Sequence, residues 1–332
     1  MNRASGTPRP RVGVREVAVA AGVSTQTVSR VINDHPYIRD ETRQRVLEAM
    51  AALDYRVNNA ARSLITRESR TVGVIVSGAA LFGPAAGVTA LEAAAREAGR
   101  WIVTGYADAG DDASVDRAVE HLLDQGVDGL VLVGLHARTR EVIEARGLEI
   151  PLAALHGEEG SDAQSDAAAL GVDHLAMLGH RRIARLGGPT DWIEESARAE
   201  GFARAARKRE LEVVREWSGD WSAAAGAAVC AEVAASVRSP GGPTAIVVAN
   251  DQMALGLMAG LGDLGVAVPG EVSVIGFDDN PDAAFYRPSL STLRVDVAAE
   301  ARRCIAALFA QTSGGALPPP TLVVRSSTAP PR

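Results

Sequence analysis

In the stretch "VSTQTVSRVINDH", residues 23–35, Thr25 pairs with Ser29 and Gln26 with Arg30 at spacing i,i+4, while Val28, Val31 and Ile32 fall on the other side. That pattern is a short amphipathic helix with Ser24 as its N-cap. Its outward face carries hydroxyls, a carboxamide and a guanidinium. A merely solvated helix more often carries Glu/Lys pairs. These groups suit recognition of nucleic acid. A carboxamide can bond adenine through two atoms, a guanidinium can bond guanine or a phosphate, and a threonine can meet a base edge or a thymine methyl. A second group of candidates stands at the ends of apolar runs far downstream: Ser77, His156, Asn250 and Asp278. Strand ends are where an α/β protein places its binding groups.

The elements that would position the first set are easily traced. "VREVAVAAGV" sets Val14, Val17, Ala18 and Ala21 on one stripe, and Gly22 breaks that helix just before Ser24 starts the next. After the "NDHPY" turn, "DETRQRVLEAMAALDY" offers Asp40 as an N-cap and Val46, Leu47, Met50 and Leu53 as an inward face. Helix, glycine-containing turn and second helix make a helix-turn-helix, whose second helix enters the major groove with its N-terminal residues leading. The bland alternative is a three-helix interaction module. Residues 58–65 follow, with Ala60, Ala61 and Leu64 on one face, in a segment too short to hold a helix in isolation. They read either as an ordinary linker or as a hinge that folds only on DNA and wedges Leu64 into the minor groove.

From Thr71 the pattern changes. "TVGVIVS", "RWIVTGYA", "VDGLVLVG", "PLAAL", "RIARLGG", "PTAIVVAND" and "EVSVIGFDD" are apolar runs separated by helical segments. Continuous apolar strands alternating with helices imply parallel sheets covered on both faces. Two sets of such units predict an α/β fold of two lobes with a ligand cleft between them.

Enzyme motifs are missing or false. "GLGDLG" at 260–265 follows a helix instead of opening one, so it reads as a helix end and turn, and neither a phosphate-binding loop nor a nucleophile elbow occurs. His174 and His180 are poorly spaced for a shared metal, and His180 reads as a cap of the helix before "RRIARL". Adjacent strand residues point oppositely, so Asp278 and Asp279 read as one ligand carboxylate and one structural acid. Neither an enzyme, a metal nor a cofactor is expected.

Composition bounds the setting. The 332 residues are 47% apolar and carry a net charge of −7, unevenly distributed. Residues 1–70 hold twelve Arg against seven acids, leaving 22 basic and 34 acidic residues in the remainder. A basic head on an acidic body suits a polyanion-binding segment attached to a globular domain. Cys230 and Cys304, the two cysteines, form no disulfide framework. Neither an apolar leader nor a membrane-length apolar run appears, so the expected location is cytoplasmic, with no membrane partner.

"VREVAVAAGVSTQTVSRVIND" and "TRQRVLEAMAALDYRVNNAARSL" together resemble the head and hinge of the LacI/GalR family of bacterial transcription regulators. The resemblance continues through "GH" at 179–180, "GDWSA", "VANDQMALG", "VIGFDD" and "LVVRSSTAPP", and so covers almost the whole chain. It implies a helix-turn-helix domain over 1–57, a hinge helix and linker over 58–70, and a periplasmic-binding-protein-like core over 71–332. In that core the chain crosses between lobes three times, giving a first lobe of about 71–166 and 296–332 and a second of about 167–295. The implied DNA-contacting set is Thr25, Gln26, Ser29, Arg30, Asn33, Asn58, Ala61 and Leu64. The implied effector-binding set is Ser77, His156, Arg198, Trp221, Asn250 and Asp278. The chemistry fits a sugar, since Arg, Asn and Asp bind vicinal hydroxyls and Trp packs on a sugar's apolar face.

Three departures bear on the effector. His156 stands where the family's type member has an acidic contact, Val297 replaces an aromatic residue, and the loop 157–166 is shortened. No heptad segment follows "APPR", so a homodimer on a palindromic operator is expected. The expected function is a sequence-specific repressor released from its operator by a small saccharide. The alternatives are a regulator answering to a purine or other non-sugar corepressor, and an exported solute-binding protein.

Overall fold

Gly22 takes a left-handed backbone (φ +64°) that ends one helix, and Ser24 Oγ accepts the Thr27 N–H at 3.1 Å to begin the next. This stop and start produce helices α1 (Val14–Ala21) and α2 (Thr25–Ile32), followed by α3 (Asp40–Ala52). The structure is a computed structural model that describes residues 12–33, 35–55, 68–309 and 316–332, without the side chains of 158–159. The chain divides into two compact units, Met1–Ser69 and Arg70–Arg332.

In the first unit Val17, Ala18, Ala21, Val28, Val31, Val46 and Ala49 form the core. The expected inward face of α3 needs one correction. Leu47 is 47% exposed, while Ala49 is buried. Leu47 follows Val46 by one residue and so turns about 100° away from it, whereas Ala49, Met50 and Leu53 return to the same side. Asp40 is also the first helical residue and not the cap, which is Arg39. Its carboxylate still favours the helix N-terminus through the dipole.

The second unit contains two sheets. Strands β1 (Thr71–Val76), β2 (Trp101–Tyr106), β3 (Gly129–Val133) and β4 (Leu152–Ala154) lie in the order β2-β1-β3-β4, all parallel. The second sheet has β5 (Arg182–Gly187), β6 (Glu212–Ser218), β7 (Ala245–Val248), β8 (Ser273–Phe277), β9 (Ser291–Arg294) and β10 (Thr321–Val323). Its order is β10-β9-β8-β7-β5-β6, parallel except for the β9/β10 pair. The apolar runs expected as strands are these strands. Three others lacked that signal: β6 is an edge strand with only Trp217 buried, and β9 and β10 are four and three residues long.

Two expectations about the crossings are corrected. The segment 157–166 is not a shortened loop but the opening of a helix, α4 (Glu158–Met177), that runs into the second lobe. Residues 296–332 do not all join the first lobe. Helix α5 (Val297–Leu308) packs Ala301, Cys304, Ile305 and Leu308 against Val72, Val74 and Val131 of the first sheet. The third crossing then returns the chain to the second sheet, where β10 pairs with β9. Ser327 bonds the Val274 carbonyl at 2.6 Å and the Ser291 N–H at 2.8 Å. His180 closes α4 as expected, through its main chain, its N–H donating to the Leu175 carbonyl at 3.1 Å, while its side chain secures the same tail: Nδ1 meets Thr244 Oγ1 at 2.8 Å and Nε2 the Ala329 carbonyl at 3.0 Å.

One glycine brings two site-bearing helices together. Gly201 lies in helix α6 (Ile193–Lys208), and a Cβ there would fall inside the contact distance of the Ser165 carbonyl on α4. The close approach lets Gln164 of α4 reach Arg198 of α6.

Candidate functional site

On the first unit Thr25, Gln26 and Arg30 are exposed on α2, as read from the sequence. Ser29 and Asn33 are half-buried, and Asn33 Nδ2 donates to Ser29 Oγ at 3.4 Å, so these two partly occupy each other. Asn58, Ala61 and Leu64 lie outside the described residues.

In the second unit a cavity forms between the sheets at the strands' C-terminal ends. His156, Arg198, Trp221, Asn250 and Asp278 line it, with Phe82, Val297 and Val133. Ser77, the sixth expected member, is not among the lining residues. It is buried at the end of β1, and its N–H donates to the Val133 carbonyl at 3.0 Å.

Arg198 organises the cavity. Its Nε donates to Gln164 Oε1 at 2.9 Å, one terminal nitrogen donates to the Ala249 carbonyl, and the other reaches Asp278 Oδ1 at 3.3 Å. The guanidinium carbon lies 3.8 Å from the Phe277 ring centroid and 5.4 Å from that of Trp221. Planar delocalised charge stacks in this way on aromatic faces. A side chain held on every side is preorganised to meet a ligand without further ordering.

Asn250 serves the scaffold as well as the cavity. Its Oδ1 accepts the Met253 N–H at 2.8 Å, capping the helix Asp251–Asp263, and its Nδ2 donates to the Trp221 carbonyl at 2.9 Å. One amide hydrogen remains for a ligand. Asp279, the neighbour of Asp278, is the structural acid: it binds Arg325 at 2.6 Å and Arg294 at 2.7 Å. Trp221 is 4% exposed, and its indole Nε1 has no hydrogen-bond partner among the described residues.

His156 stands at the start of the first crossing, and its nearest partner comes from beyond the second. Its N–H donates to Glu300 Oε1 at 2.6 Å, and its Nδ1 lies 2.6 Å from Glu300 Oε2. Gln164 Nε2 also lies 3.1 Å from Nδ1. One ring nitrogen cannot donate to the carboxylate and accept from the amide at once. The shorter contact places the proton on Nδ1, and Arg198 fixes the amide orientation by claiming its oxygen.

Electrostatics follow this geometry. Burial works against a charged His156, but the Glu300 carboxylate outweighs it and raises the histidine's pKa. Burial likewise opposes ionisation of Glu300, and the His156 pairing overcomes it, lowering the carboxyl's pKa. Burial pushes the Asp278 carboxyl up, with Arg198 and His156 offsetting part of the rise. Glu194 also shifts upward, chiefly by burial. Three cavity residues, His156 (φ +58°), Trp221 (+72°) and Asp278 (+109°), hold left-handed backbone that side chains ordinarily avoid. Strain of this kind persists where the surrounding structure over-determines a functional geometry.

Sequence reading missed Gln164, Trp192, Glu194 and Glu300. Glu194 had a signal, since it precedes Arg198 by four residues and must share its helix face. Gln164 had none, lying in a segment read as a loop. Glu300, which lies behind the lining, reaches His156 only through the chain's second crossing.

Residues 14–58 match the profile of bacterial regulatory proteins of the lacI family, and residues 172–328 match a periplasmic binding protein-like domain. The chain is 33% identical over 332 residues to the lactose operon repressor of Escherichia coli K12, covering 96% of this chain and 91% of that protein. It is 29% identical to the HTH-type transcriptional repressor PurR of Actinobacillus pleuropneumoniae serotype 3, covering 84% and 85%. A crystal structure of the lac repressor dimer bound to operator and the anti-inducer ONPF is similar in fold. Its TM-score is 0.79 at 32% identity, over 96% of this chain and all of that one.

Proposed function

The chain belongs to the lacI family of bacterial regulatory proteins, and on that premise we propose that it is a DNA-binding repressor released from its operator by a small saccharide in the interlobe cavity. The observation that carries the saccharide reading is the pairing of a fixed Arg198–Asp278 contact with Trp221, whose indole N–H has no partner among the described residues. A pyranose offers an apolar face to an indole and hydroxyls that both donate and accept. Thr25, Gln26 and Arg30 on α2 are the base-reading residues. Asn58, Ala61 and Leu64 belong to the same reading as further DNA contacts. The assembly is a homodimer whose two-fold axis matches a palindromic operator, a reading supported by the dimeric lac repressor structure.

Thermal denaturation in the presence of mono- and disaccharides tests this, with purine bases in the same panel. A ligand at a hundred times its Kd stabilises the native state by about 2.7 kcal/mol. A midpoint rise with saccharides that vanishes in Arg198→Ala supports the proposal. Stabilisation by purines alone would replace it with the corepressor reading that the likeness to PurR suggests.

A further inference from the structure

The ionisable groups of the interlobe cavity do not balance. Arg198 is paired with Asp278 at 3.3 Å and His156 with Glu300 at 2.6 Å. Glu194 remains. It is 6% exposed, lines the cavity on the face of α6 that carries Arg198, and interacts electrostatically with both His156 and Arg198. The main-chain N–H groups of Glu194 itself and of Leu135 favour the charged form of its carboxyl. Its Oε2, however, is buried without a hydrogen-bond partner among the described residues. A buried carboxylate oxygen left unpaired is costly, so a site that keeps one is built to receive a donor.

We propose that Glu194 is a specificity-determining residue whose Oε2 accepts a hydrogen bond from a protonated amine on the effector, so that the saccharide recognised here is an amino sugar. This rests on the reading of the cavity as a saccharide site. A neutral hydroxyl would satisfy the hydrogen bond and leave the third carboxylate's charge uncompensated. An ammonium group satisfies both, through a charge-assisted bond. The walls agree with a cation. Trp192 and Trp221 both line the cavity and meet edge-on with ring centroids 5.6 Å apart, and indole faces attract cations. The unpartnered Trp221 N–H points to the complementary need, a ligand oxygen that accepts. One ligand carrying an ammonium and hydroxyls meets both buried demands.

Calorimetry on the full-length protein tests the proposal. Glucosamine, galactosamine and mannosamine are each titrated beside the neutral parent hexose and the N-acetyl derivative, below the amine's pKa. At least one amino sugar is expected to bind roughly tenfold or more tightly than its parent and its N-acetyl form. Glu194→Gln, nearly isosteric, is expected to erase that preference. Equal affinity for amine and parent, or a preference that survives Glu194→Gln, overturns the assignment of Glu194 and leaves the saccharide reading standing. No binding by any sugar of either kind overturns both. Should Glu194→Gln fail to fold, the comparison of amine with parent on the unaltered protein still decides.

Discussion

Arg30 and the His156–Glu300 pair test different kinds of side-chain work. Arg30 is exposed and has neighbours of readout chemistry, so under the proposed function its contribution is to binding and not to folding. Arg30→Ala is expected to lower operator affinity by about 1–3 kcal/mol if the guanidinium contacts a base. Thermal stability should be unchanged. A mobility-shift titration at fixed salt measures this, and unchanged affinity would remove Arg30 from the interface. The His156–Glu300 pair is buried, and its contribution is to stability. The histidine's pKa is raised above its ordinary 6.5, so that contribution is whole below 6.5 and is lost as pH rises through the elevated native value. The carboxyl's pKa is lowered from 4.5, so its share is whole above that and fails as acid titrates it. Glu300→Gln should therefore cost about 1–3 kcal/mol near pH 6 and distinctly less in alkaline solution. Arg198, Asp278 and Glu194 face the same histidine, and none is altered by that substitution. Urea melts at the two pH values provide the measurement, and equal losses at both would refute the pairing.

At the scale of elements, the decisive features are a cap and a close approach. Ser24→Ala removes the acceptor of the Thr27 N–H and should destabilise the first unit by about 1 kcal/mol. Because the cap starts the helix bearing Gln26 and Arg30, operator binding should weaken along with it. Gly201→Ala is the sharper test. The added Cβ meets main chain at Ser165, which cannot swing aside as a side-chain end would. α4 and α6 must then separate, at roughly 1–3 kcal/mol for overpacking. Separation also pulls Gln164 from Arg198, so saccharide affinity should fall although neither residue has changed. A Gly201→Ala protein with normal stability and normal ligand affinity would show that the approach is not rigid.

For the whole molecule, the proposed function requires reciprocal coupling. If the saccharide weakens operator binding by some factor, the operator must weaken saccharide binding by the same factor. Titrating ligand into free and operator-bound protein, and operator into free and ligand-bound protein, gives the two ratios. Unequal ratios would mean that the two measurements do not share a single equilibrium cycle. A ratio of one in both pairs would remove the saccharide as the releasing signal.

Much of this was legible in one dimension, because local physics set it. Gly22 and Ser24 punctuate α1 and α2 through backbone geometry and capping, and the i,i+4 polar pairs of α2 face outward whatever lies behind them. Seven continuous apolar runs became strands because a parallel sheet buried on both faces leaves little choice of residue. Asp278 and Asp279 do turn apart, one to Arg198 and the other to Arg294 and Arg325, but both stand beyond the end of β8 with positive φ, so strand alternation is not the reason. What the sequence left open depends on contacts between distant segments. The partner of His156 lies 144 residues away on Glu300, and the returning tail pairs with β9 only after the third crossing. Asn250 looked like a free ligand group, and only the fold shows that it caps one helix and holds Trp221. The unpaired oxygen of Glu194 has no signature in sequence at all, because being without a partner is a property of the surrounding space and not of the residue.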